Sequence, residues 1–163
     1  MAAPVYVLLE TPILFADSAQ TPNVQFTLSA LASLAGRVSA QYDRGAAAHA
    51  GWYEWRFSCQ LTGTNVVGAA VELYIATSDG AAMDGQVGTV DAALATDKRN
   101  NLRPMGTLVV DQVTTNVTMT ASGEIYLPQR YLSVAVWNAT TLPFKTDTAV
   151  HRLTLTPFAE QAG

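Results

Sequence analysis

His49 and His151 are the only imidazoles in the chain, and Cys59 is its only thiol. A hydrolytic triad needs a nucleophile, a base and an acid that orients the base, and no Gly-x-Ser-x-Gly elbow is present to hold the nucleophile. His151 heads a strand pattern and His49 lies in an alanine-rich turn, so both read as solvated structural histidines. Zinc would need more Cys and His than this. Gly63 and Gly68, or Gly85 and Gly88, fit no phosphate-loop spacing. Calcium is the metal closest to plausible, because Asp79, Asp84, Asp91 and Asp97 cluster in one stretch. Their spacing matches no EF-hand, and turn formation accounts for them. Glu54 and Glu72, expected on adjacent strands, would supply the carboxylate pair of a glycosidase. Both alternate with core residues and read as solvent-face charges. Trp52, Tyr74, Tyr131 and Trp137 could line a sugar platform. Of these, Trp52 and Tyr74 are expected on the outer faces of neighbouring strands, where such a pair also simply stabilises a sheet. The expectation is a protein that is not an enzyme and needs no metal or cofactor.

The elements that carry these residues are strands. From Trp52 to Leu61, Tyr53, Trp55, Phe57, Cys59 and Leu61 alternate with Glu54, Arg56, Ser58 and Gln60, a strand with one buried and one wet face. The same period puts Val71, Leu73 and Ile75 inward, then Leu132, Val134 and Val136, then Leu153 and Leu155. Thr107 to Val110, with Val117 and Met119, reads as shorter strands. Gly63 with Asn65, Asp79-Gly80, Asp84-Gly85, Asn100-Asn101, Ser122-Gly123 and Pro143 supply turns. The spacing predicts an all-β, antiparallel two-sheet sandwich, jelly-roll-like, of about eight strands. The predicted core contains Trp55, Phe57, Leu73, Ile75, Val134, Val136 and Leu153. Leu28 to Tyr42 mixes helical and alternating spacing, and its second half reads as strand. Residues 78–102 read as an excursion loop with one short helical or strand piece.

Residues 1–22 form a separate unit ahead of a sandwich domain over 23–163. Pro4, Pro12 and Pro22 punctuate an apolar run and allow only extended backbone. It is either an edge strand of the sandwich's own core or an arm that docks on a neighbouring chain through Val5, Tyr6, Leu8, Leu9, Ile13, Leu14 and Phe15. The stretch lacks a basic leader region and is interrupted by Glu10, so it does not read as a secretion signal.

Charge narrows the partners. Charged residues make up 13% of the 163, about half the usual share of roughly 25%, and net charge is −4. A surface so thinly charged is poorly defended against association. The nine basic residues are scattered, so neither the clustered cations of a nucleic-acid surface nor an apolar membrane span is present. One cysteine cannot form an intrachain disulfide, and Cys59 reads as a small buried hydrophobe.

The run from Leu31 to Asp43 (LASLAGRVSAQYD) resembles the opening of a family of small β-sandwich virion proteins of tailed bacteriophages. As in that family, an aromatic strand follows at Trp52 to Leu61, then a strand ending in Ser78-Asp79-Gly80. Asn101 to Gly106 (NLRPMG), Leu127 to Tyr131 (LPQRY) leading to Asn138, and a final strand at His151 continue the likeness over roughly Leu28 to Phe158. The resemblance implies a capsid decoration (cement) protein: a structural homo-oligomer on the capsid exterior that bridges neighbouring capsomers. Its partners would be the major capsid protein and other copies of itself. The rival class is a receptor- or glycan-binding module of the tail or baseplate.

Overall fold

The computed structural model describes residues 10–158 other than positions 48 and 81. In chain order its strands are β1 (Ile13–Ala16), β2 (Val24–Gln25), β3 (Ala35–Val38), β4 (Tyr42–Asp43), β5 (Trp52–Cys59) and β6 (Ala70–Ser78). After these come β7 (Ala92–Leu94), a one-turn helix α1 (Thr96–Arg99), β8 (Arg103–Val109), β9 (Met119–Tyr126), β10 (Tyr131–Asn138) and β11 (Arg152–Phe158). The first sheet runs β2-β1-β11-β5-β9 and the second β7-β3-β10-β6-β8, with β4 also pairing β10. Pairing is antiparallel throughout except between β1 and β2. With the three shortest strands, β2, β4 and β7, set aside, eight remain. They visit the sheets in the order first, second, first, second, second, first, second, first. That winding is a jelly roll, the two-Greek-key form of the all-β sandwich.

Alternation decides which face of each strand is buried. Tyr53, Trp55, Phe57 and Cys59 of β5 meet Val71, Leu73 and Ile75 of β6 in one core, joined by Leu132, Val134 and Val136 of β10 and Leu153 and Leu155 of β11. All seven residues expected in the core lie there. Cys59 is fully buried, which pushes its thiol up to about 12. A proline inside a strand is tolerated at a sheet edge, and Pro104 sits in β8, the outermost strand of the second sheet.

Four expectations need correction. Ser122-Gly123 is not a turn but the middle of β9. A Cβ on Gly123 would come within 2.8 Å of the Trp55 indole, so glycine is there to admit that ring. Ile13, Leu14 and Phe15 do not form a docking arm: β1 is hydrogen-bonded between β11 and β2, and Ile13 and Phe15 point into the core. Val5, Tyr6, Leu8 and Leu9 lie outside the described residues. His151 is not solvated but buried, stacked on Phe144. Finally, consecutive strands β5 and β6 cross to opposite sheets, so Glu54 and Glu72, like Trp52 and Tyr74, are on opposite outer faces of the molecule.

Residues 79–102 do more than loop. Met83, Val87, Leu94 and Leu102 fold down on Val38, Ala76, Ala135 and Trp137, making a second, smaller core on the outer face of the second sheet. The second half of Leu28 to Tyr42 is strand as read, while Leu28 and Leu31 enter the main core without forming a helix.

Candidate functional site

Three places on this frame gather polar or exposed apolar groups. The first is a cleft of about 300 Å³ beside the start of β1, lined by residues including Glu10, Tyr42, Arg44 and His49. The Arg44 side chain is 2% exposed. Its Nη1 donates to the carbonyls of Leu127 (2.6 Å) and Gln129 (2.9 Å), and its Nη2 to the Ala50 carbonyl (2.6 Å) and the Tyr53 hydroxyl (2.7 Å). The Tyr53 hydroxyl donates in turn to Glu10, which also accepts the Ala50 amide at 2.7 Å. Burial first, and then the Glu10 hydrogen bond, raise the Tyr53 hydroxyl well above its ordinary range. His49 has Nδ1 3.4 Å from Glu10 and Nε2 3.0 Å from the Gly45 carbonyl. These groups are mostly bonded to one another, with Arg44 Nε left without a partner among the described residues. The arrangement ties residue 10, the 44–50 segment and the β9–β10 connection together, and it leaves no imidazole nitrogen facing a substrate.

The second place is the outer face of the first sheet, which registers as four rungs. Phe158, Trp52 and Tyr126 form an aromatic rung, with ring centroids 6.4 Å and 5.4 Å from Trp52. Thr156, Glu54 and Glu124 form the next, then Thr154, Arg56 and Ser122, then Arg152, Ser58 and Thr120. The two arginine rungs enclose a depression of about 350 Å³ lined by Arg56, Ser58, Thr118, Thr120, Arg152 and Thr154. Among the described residues, neither guanidinium pairs with a carboxylate. Trp52 is therefore part of an aromatic platform, but with Tyr126 and Phe158, not with Tyr74. Tyr74 instead donates to Glu72 at 2.6 Å on the second sheet, and burial together with that bond pushes its hydroxyl up to about 12. Sequence reading missed Tyr126 and Phe158. Their only local signal was alternation at two strand ends.

The third place is the end of the sandwich where the β5–β6 and β8–β9 connections meet. Val66, Val67, Val109 and Val113 are each more than half exposed there. The connections are bound to each other: Gly68 N donates to Val110 O at 2.9 Å, Val110 N to Ala69 O at 2.8 Å, and the Asn65 side-chain amide to Thr114 O at 3.0 Å.

Two of the four clustered aspartates are engaged by partners of their own. Asp84 accepts from the Thr77 amide (2.9 Å) and hydroxyl (2.8 Å), and Asp91 from Arg37 (2.6 Å) and the Thr27 amide (3.1 Å). Burial works to raise the Asp91 carboxyl, but the bonds from Arg37 and Thr27 outweigh it and hold it below the usual range. Among the described residues, no three His, Cys, Asp or Glu side chains converge as a metal site requires, and no helix is long and apolar enough to cross a membrane. Set against known proteins, the chain matches no family model and no curated protein.

Proposed function

We propose that this chain is a structural protein of a bacteriophage particle, a decoration protein that sits on the capsid exterior and bridges neighbouring capsomers. The observation that carries the reading is the valine end of the jelly roll. Four branched aliphatic side chains stand in water, Val109 at the end of β8 and the other three on two connections that hydrogen bonds hold in place. Apolar surface costs roughly 25 cal/mol per Å² to leave exposed, so a partner that covers it gains that much, and prefixed loops lose little entropy on binding. The thin charge of the surface offers no repulsion to oppose such a contact. Of the segment read either as an edge strand or as a docking arm, Ile13 and Phe15 belong to the core, so the proposed docking surface is built on these connections. Jelly rolls serve both viral capsids and lectins, so the fold alone does not choose between them. The likeness of residues Leu28 to Phe158 to phage sandwich proteins favours the first.

Counting copies in purified particles by quantitative mass spectrometry tests the assignment. Hundreds of copies support decoration; a handful would make the chain a tail or baseplate component. Replacing Val66 and Val67 together by Asp should leave a folded protein that no longer binds shells. Undiminished binding would move the docking surface elsewhere.

A further inference from the structure

The geometry points to a second binding face, independent of the valine end: the outer surface of the first sheet as a site for an acidic saccharide. Arg56 and Arg152 stand on adjacent rungs, diagonal to one another across the β5–β11 pair, both exposed and neither matched to a carboxylate among the described residues. In a chain of net charge −4, the depression between them holds two positive charges and no negative one. Ser58, Thr118, Thr120 and Thr154 complete it with hydroxyls, which both donate and accept. A guanidinium is the side chain best shaped for a carboxylate or sulfate, offering two parallel donors.

What lies along the same strands narrows the ligand. Glu54 and Glu124, one rung away and directly opposite one another, accept hydrogen bonds from sugar hydroxyls but repel a polymer charged on every unit. Beyond them Trp52 offers a ring face flanked by Tyr126 and Phe158, as the apolar face of a pyranose requires. Four residues of extended chain put about 13 Å between Trp52 and Arg56. That exceeds one sugar ring. The matching ligand has neutral sugar at one end and an acidic group at the other, and a nucleic acid, with a phosphate at every step, fits poorly.

An array carrying uronate, sialate, sulfated and neutral oligosaccharides, followed by calorimetry on those retained, tests this. The expected result is retention of acidic oligosaccharides over their neutral counterparts. R56Q/R152Q should weaken binding about tenfold or more, since hydrogen bonds to charged groups contribute that much. W52A should weaken acidic and neutral members alike, and R130Q, on a residue of the β9–β10 connection that does not line the depression, should leave sugar binding unchanged. Circular dichroism on R56Q/R152Q should show an intact fold, as neither guanidinium is bonded to another of the described residues. The proposal is overturned if no acidic oligosaccharide is retained, if R56Q/R152Q binds as tightly as the parent, or if a short DNA duplex binds more tightly than any sugar.

Discussion

The indole of Trp55 occupies the space that a side chain at Gly123 would need: a Cβ there would stand 2.8 Å from Cζ2 of the ring. Gly106 leaves the same room from the other sheet. β8 and β9 are the edge strands on one side of the sandwich, and Trp55 fills the seam between them. Removing the ring leaves a large cavity, so Trp55→Ala should cost on the order of 3–5 kcal/mol. Gly123→Ala overfills the seam and should cost about 1–3 kcal/mol. Urea denaturation of both single variants and the double variant checks the wedge. The double variant should be markedly more stable than the sum of the single losses implies, because each change relieves the other. Simple additivity would mean that the ring and the glycine do not compete.

β1 supplies the second expectation. Phe15 is fully buried and Leu153 is its partner in the ladder. Phe15→Ala should therefore cost about 3–5 kcal/mol, and removing residues 1–20 should abolish cooperative unfolding. A truncated chain that still melts in a single sharp transition would show that β1 is dispensable.

These two regions mark where sequence reading succeeded and where it stopped. Period two in Tyr53, Trp55 and Phe57, or in Leu132, Val134 and Val136, is local, and a buried face follows from it directly. Gly123 broke the pattern because glycine ordinarily marks a turn. Its reason for being there, Trp55, is 68 residues away by subtraction of their numbers. Trp52 and Tyr74 were paired because β5 and β6 are consecutive, yet jelly-roll winding sends these two strands to opposite sheets. The same winding brings Tyr126 and Phe158 to Trp52, which no local signal announces. His151 looked solvated because it stands at a strand end, yet it is buried with its ring stacked on Phe144.

Arg44 tests the knot beside β1. Its planar fork serves three carbonyls and the Tyr53 hydroxyl at once, a set that a lysine ammonium cannot reach together. Arg44→Lys should lower stability by about 2 kcal/mol or more, since it leaves buried acceptors without donors. Chemical denaturation measures this. A loss within error of zero would mean that the guanidinium is not what joins Ala50 to the β9–β10 connection.

Asp84 is expected to act as a clasp, not a calcium ligand. It holds the excursion to the end of β6 through Thr77, so Asp84→Ala should cost about 1–2 kcal/mol. Dialysis against EDTA should leave the melting temperature unchanged. A temperature that falls on chelation and returns with added calcium would reverse the assignment.

The dependence of stability on pH should show His151 first. Its Nε2 lies 2.8 Å from the Lys145 carbonyl, which can only accept, so the neutral ring carries its proton there. Nδ1 is buried without a partner among the described residues, and a second proton would place a charge out of reach of water, a cost that the attraction of Asp147 and Asp17 does not offset. Burial accordingly holds this imidazole below its ordinary value of 6.5. The unfolded chain begins to take up the proton near 6.5 and the folded chain does not. Below that pH the unfolded state therefore binds more protons, and stability falls until the folded imidazole also titrates. Above 6.5 both states are neutral and the contribution is complete. Asp43, held at about 2 by Arg130 and the Gly45 amide, and Asp91, also lowered, have folded values beneath their ordinary 3.8. Their contribution is present above 3.8 and declines only at more acidic pH. Melting temperatures followed from neutral pH downward should thus decline in two separate stages. His151→Gln, which keeps a donor for Lys145 but cannot charge, should remove the first stage and leave the second. A parent protein whose melting temperature stays flat through the window just below 6.5 would mean that the folded ring accepts its second proton as readily as the unfolded one.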